Sequence, residues 1–144
     1  VNPINMRYGR QGHALVAFAG PASNLVVAVL VAIPLRLIIH NDDWLRTVLD
    51  TPLLRMFLDA ALLLLSLNLL LFIFNLLPLP PLDGWSVLKG IVPQQMSRRM
   101  SELEIQYANV IPMLFFGVIL IIFFTGGSFL GSFIYGIRDF LLGL

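Results

Sequence analysis

The sequence has 144 residues, 58% of them hydrophobic and only 12% charged, and its mean hydropathy is +0.90. A soluble domain carries roughly a quarter charged residues, so the solvent for much of this chain is lipid, and lipid favours an all-α membrane protein whose helices satisfy their own backbone. A formal net charge of +1 gives no reason to expect a nucleic-acid partner, and the absence of cysteine removes disulfides and thiolate metal ligands.

In chain order, Arg7 and Arg10 precede an apolar run from Ala14 to Ile39 whose only charge is Arg36, close enough to the far end to reach the interface. The run exceeds the ~7–15-residue core of a signal peptide and no small-residue cleavage site follows it. Residues 14–39 therefore read as a first membrane span. The chain opens on Val1 rather than Met, which reads as an excerpt of a longer protein. Within the run Ala17, Gly20 and Asn24 fall on one helical face, small and polar, suited to close helix approach. A packing face without chemistry and a supporting or substrate-touching role for Asn24 both fit that pattern.

His40–Thr51 reads as an acidic loop holding Asp42, Asp43 and Asp50. A second span follows over about 55–77. Arg55 and Asp59, four apart, suggest an interfacial ion pair near its start. Asn68 and Asn75, seven apart, share a face that should look inward, because amides in lipid need partners. No charge occurs from Ala60 to Leu82.

The second span ends in Asn75-Leu-Leu-Pro-Leu-Pro-Pro-Leu-Asp-Gly84. Pro78, Pro80 and Pro81 remove three backbone donors and stop the helix, so an extended segment is expected. Unsatisfied carbonyls in hydrocarbon cost several kcal/mol each, so the break should be lined by protein or by water. Asp83 could simply cap a following helix, with Gly84 in its first turn. An ionisable group at such a break is equally a candidate functional site.

Residues 93–107 are the most polar stretch. Arg98 and Glu102 stand four apart on a short helix that reads as a solvated connector. A third span is expected over 108–125, before Gly126 and Gly127. Residues 129–144, with Arg138 and Asp139, fit either a fourth short span or an interfacial helix. The expectation is a single transmembrane domain over 1–144: a polytopic helical bundle of three to four spans with a Pro-rich break after the second. Arg7, Arg10, Lys89, Arg98 and Arg99 lie in segments separated by two spans, while the Asp-rich loop lies between those spans. Basic residues favour the cytoplasmic face, which places Asp83 towards the cytoplasm.

The segment ending in Pro-Pro-Leu-Asp-Gly resembles the N-x-x-P-x-P-P-L-D-G motif of the site-2 proteases, and Gly20-Pro-Ala-Ser-Asn24 resembles their G-P-x-x-N segment. The initial Val-Asn-Pro and Ser101–Tyr107 also fit compact bacterial members. The resemblance implies a zinc-dependent intramembrane protease in a bacterial inner membrane, with Asp83 as the third ligand of Zn2+. Asn24, Asn68, Asn75 and Gly84 would support that ligand or touch substrate. The substrate would be a transmembrane segment of another protein, bound within the lipid bilayer, with the Pro78–Leu82 backbone as a docking edge.

A catalytic zinc takes three protein ligands and keeps one position open. The family supplies two histidines and its general base from H-E-x-x-H, which these 144 residues lack. His13 and His40 flank a whole span, roughly 40 Å apart at 1.5 Å per helical residue, so Asp83 could join at most one. His13 reads as an interfacial histidine. The H-E-x-x-H helix is expected upstream of Val1. A catalytically inactive homologue acting as a membrane binding or regulatory protein, and a transporter with a broken helix, are the rival readings.

Overall fold

The computed structural model describes the backbone of residues 3–124 and 128–144, and the side chains of these except residues 3–8, Arg10, Phe123, Phe129 and Leu130. Every element among them is an α-helix: α1 (Pro3–Ile39), α2 (Asp42–Asp50), α3 (Pro52–Leu76), α4 (Asp83–Ile91), α5 (Gln94–Gln106), α6 (Ile111–Phe124) and α7 (Ser128–Leu142). The initial Val-Asn, the Arg7 and Arg10 side chains and the Gly126–Gly127 division lie outside the described residues.

Two helices are long and apolar enough to cross a membrane, Gln11–Ile39 within α1 and Pro52–Leu76. Their outward side chains are large and apolar, with Leu15 71%, Leu30 61% and Leu63 61% exposed. A water-soluble fold would not leave such continuous apolar surface bare, whereas hydrocarbon solvates it. The expected third span is different. Described α6 has 14 residues, about 21 Å at 1.5 Å per residue against a hydrocarbon core of about 30 Å. It follows α5 at a bend of 88°, and among the described residues this bent pair, taken together, is long and apolar enough for a third crossing.

The expected acidic loop is a helix, α2. Asn41 caps it by accepting the Trp44 N–H at 3.0 Å, and Asp42 and Asp43 lie in its first turn, where the helix's positive end favours them. Arg55 and Asp59 form no ion pair among the described residues, and neither do Arg98 and Glu102.

The chain divides into two compact units. One combines Ser23–Phe72 with Ser128–Leu144. Its buried residues include Ala28, Ala32 and Leu35 on α1, Leu65, Asn68 and Leu69 on α3, and Ile134 and Leu142 on α7. Small residues on α1 permit close helix approach, which dispersion rewards in lipid. The end of α7 is latched by His40, whose Nδ1 lies 2.9 Å from the Arg36 carbonyl and whose Nε2 lies 3.2 Å from that of Gly143. Gly143 has φ +72°, and a Cβ there would meet the Arg36 guanidinium at 3.1 Å.

The other unit combines Val1–Ala22 with Ile73–Gly127. It holds the end of α3, the Pro-rich segment, α4, α5 and α6, and therefore the motif around Asp83.

Candidate functional site

Helix α3 stops at Leu76, and the next six residues fold on themselves. Leu77 N–H donates to the Phe74 carbonyl at 3.2 Å, Leu79 N–H to Leu77 at 2.8 Å, and Leu82 N–H to Leu79 at 2.8 Å. Pro78, Pro80 and Pro81 have no N–H to place, and the Pro80–Pro81 bond is cis. Every donor from Leu77 to Leu82 is thus absent or already used. The segment is a pair of tight turns, not the extended docking edge expected from its prolines. Backbone carbonyls remain available to a visitor; amide donors do not.

The recess beside the turn is apolar. Phe74, Leu79, Pro80 and Leu82 face Ile111, Phe115 and Ile119 of α6 across it, and the Phe74 and Phe115 rings lie 5.8 Å apart, tilted by 59°. Protein, not a polar lining, meets the break on this side, which fits a segment that leaves no donor unsatisfied.

Helix α4 begins at Asp83 itself. Its N-cap is Leu82, with extended φ −74° and ψ 159° and no side-chain cap bond. Asp83 is therefore the first helical residue and not the cap. Its carboxylate sits at the positive end of the helix, is partly exposed, and has no hydrogen bond or ion pair among the described residues.

Two glycines bracket this carboxylate. A Cβ on Gly20 of α1 would lie 3.1 Å from Asp83 Oδ2, so α1 passes the carboxylate at contact distance. A Cβ on Gly84 would lie 2.5 Å from the Leu77 carbonyl oxygen and collide with that of Leu76. Gly84 is buried, and only a residue without a side chain lets the start of α4 press on the end of α3. The two motifs, separated in sequence, meet at Gly20 and Asp83.

The other sequence-predicted residues do not converge on Asp83 through hydrogen bonds. Asn68 is buried and its Nδ2 donates to the Leu64 carbonyl of its own helix at 2.8 Å. Asn75, half-buried in the last turn of α3, makes no side-chain hydrogen bond among the described residues, and Asn24, half-buried on α1, makes none either. Spacing marks Gly20 as part of a small face, and the G-P-x-x-N resemblance includes it, but neither names Asp83 as what passes over it. Glu104 lies in the Ser101–Tyr107 segment but carries no individual role in the sequence. From α5 it accepts the Trp85 Nε1–H at 3.3 Å and pairs with Lys89 Nζ at 2.5 Å. A Lys and a Glu on successive helices announce no pairing in sequence, which is why the stretch read as a connector.

As to metal binding, no group of three His, Cys, Asp or Glu side chains able to hold an ion occurs among the described residues. His13 is exposed on α1 and His40 is engaged at the end of α7. Among the described residues, Asp83 is the carboxylate at this site, and no further His, Cys, Asp or Glu joins it in a metal-binding group.

Residues 53–121 match the family model of Peptidase family M50. Over 105 residues the chain is 35% identical to a protein named "Putative zinc metalloprotease YwhC" from Bacillus subtilis, an alignment covering 71% of this chain and 46% of that protein. The chain is similar to peptidase family M50 over these residues. This is the site-2 protease family, so the resemblance carried by the Pro-Pro-Leu-Asp-Gly segment stands, and M50 members are membrane proteins. The family match runs from α3 through the turn, α4 and α5 into α6, and so includes Asp83, Gly84 and Glu104. The chain spans less than half the length of this curated relative. No solved structure matches the chain.

Proposed function

We propose that this chain carries part of the active site of a zinc-dependent intramembrane protease, with Asp83 contributing one metal ligand. The observation that carries the reading is the placement of Asp83: an unpartnered carboxylate at the first residue of a helix, beside a glycine of α1, where an apolar helix is broken by three prolines. Similarity to M50 supports the peptidase class, and the name of the Bacillus relative supports zinc. The remaining ligands and the general base would come from an H-E-x-x-H helix outside these 144 residues. A zinc ion held there would activate water for peptide hydrolysis. The chain's own part is to hold the Asp83 carboxylate in place, through Gly84 against α3 and through the donor-free turn behind it.

The substrate we propose is a transmembrane segment of another protein, met within the bilayer on the cytoplasmic side. The distribution of Lys and Arg supports that side. Because the turn offers carbonyls without amide donors, it would engage an unwound substrate only as an acceptor, which narrows the docking idea to donors on the substrate.

The test uses the complete protein in detergent and a fluorogenic reporter built on one Leu/Ala-rich transmembrane segment interrupted by glycine. Asp83→Ala should reduce cleavage by more than the ~100-fold typical of losing a group that merely supports a ligand, with expression and helical content retained. Cleavage within a few-fold of the parent would overturn the assignment.

A further inference from the structure

Helix α4 has nine residues. A helix so short has little stability of its own, and its direction must be imposed by what it touches. Two contacts do this. At the front, Gly84 presses on the terminal carbonyls of α3. At the back, one carboxylate oxygen of Glu104 takes both the Trp85 indole N–H and the Lys89 ammonium. Trp85 and Lys89 are one turn apart. At about 100° per residue they lie about 200° and 240° round the helix from Asp83, on its opposite side. Rolling α4 about its axis would swing Asp83, and the same roll would tear Trp85 and Lys89 from Glu104.

We propose that Glu104 is a positioning residue for Asp83: it clamps the back of α4 and so fixes the rotation at which the Asp83 carboxylate is presented. The inference rests on the reading of Asp83 as a site carboxylate. An ordinary surface pair would contribute little, but here the Lys89 and Glu104 side chains are only 20% and 39% exposed, and a neutral indole donor shares the same oxygen. Misplacing a reacting group by about 1 Å costs up to about 100-fold in rate, so a modest roll of α4 has a measurable consequence.

The experiment compares Glu104→Ala and Glu104→Gln in the complete protein with the same reporter, separating kcat from KM. Trp85 is read in parallel as the difference in fluorescence emission between each protein and its Trp85→Phe counterpart. Glu104→Ala should lower kcat by roughly 10- to 100-fold, leave KM within about two-fold, and shift the Trp85 emission. Glu104→Gln, which keeps an acceptor for the indole but loses the ion pair, should fall between Ala and the parent, and decides the matter if the Ala variant does not fold. A shifted emission with unchanged kcat would show a clamp that positions nothing, and an unshifted emission would show no clamp; either overturns the proposal, as does a rise in KM at constant kcat. Failure of the underlying reading is distinguishable. It would appear as full cleavage by Asp83→Ala with the parent's Trp85 emission intact.

Discussion

Asp83 is defined by its neighbours more than by its own bonds. Gly20 and Gly84 bracket it, and the two differ in what a methyl group would strike. At position 84 the obstacle is backbone, the carbonyls of Leu76 and Leu77, which cannot rotate away. Gly84→Ala should therefore act as overpacking, lowering stability by about 1–3 kcal/mol. Thermal unfolding of the detergent-solubilised protein would measure this, and an unchanged midpoint would contradict the packing described. At position 20 the obstacle is the carboxylate itself, at 3.1 Å from the added carbon. Gly20→Ala should leave the unfolding midpoint nearly unaltered while depressing cleavage by about ten-fold, within the range expected for a small displacement of a reacting group. Equal losses of stability and activity would argue that Gly20 serves packing alone. Asp83 was legible in the sequence because an ionisable residue directly after three closely spaced prolines at the end of an uncharged apolar run is unusual. Gly20 was legible as a small residue of the G-P-x-x-N segment, but its significance depends on a contact with a segment sixty residues away.

At the scale of elements, two long helices could be read directly from apolar runs: α3 (Pro52–Leu76) lies close to the expected 55–77, whereas α1 begins at Pro3, well before the expected residue 14. The elements that were misread are those where local polar chemistry outweighs hydropathy. Asp42 and Asp43 look like loop residues by composition, yet behind an Asn41 cap they favour a helical first turn. Asn41→Ala should accordingly cost about 1 kcal/mol with cleavage unaffected, a loss visible in thermal unfolding; no change would mean the cap contributes nothing. The Pro-rich segment was expected to be extended because prolines forbid helix, but apolar surroundings also penalise free donors. The observed turns satisfy both constraints, using each N–H that the prolines leave.

At the scale of the whole molecule, two described helices long and apolar enough to cross a membrane accompany a motif that similarity to family M50 links to peptidase chemistry. The chain spans less than half the length of its curated relative, and the account makes it one contributor to a metal site completed elsewhere in the protein. That division explains why the motif was legible and the full ligand set was not: Asp83 lies within a run of residues with unusual proline spacing, whereas no spacing within these residues brings His13 or His40 to it. The absence of cysteine from the sequence offers a direct probe of the central claim. Asp83→Cys in the complete, zinc-loaded protein would exchange an oxygen ligand for sulfur at about 2.3 Å, and zinc X-ray absorption distinguishes the two. The account predicts a new zinc–sulfur shell near that distance in Asp83→Cys and not in a Leu82→Cys control. A spectrum for Asp83→Cys identical to that of the parent, at full zinc occupancy, would contradict it.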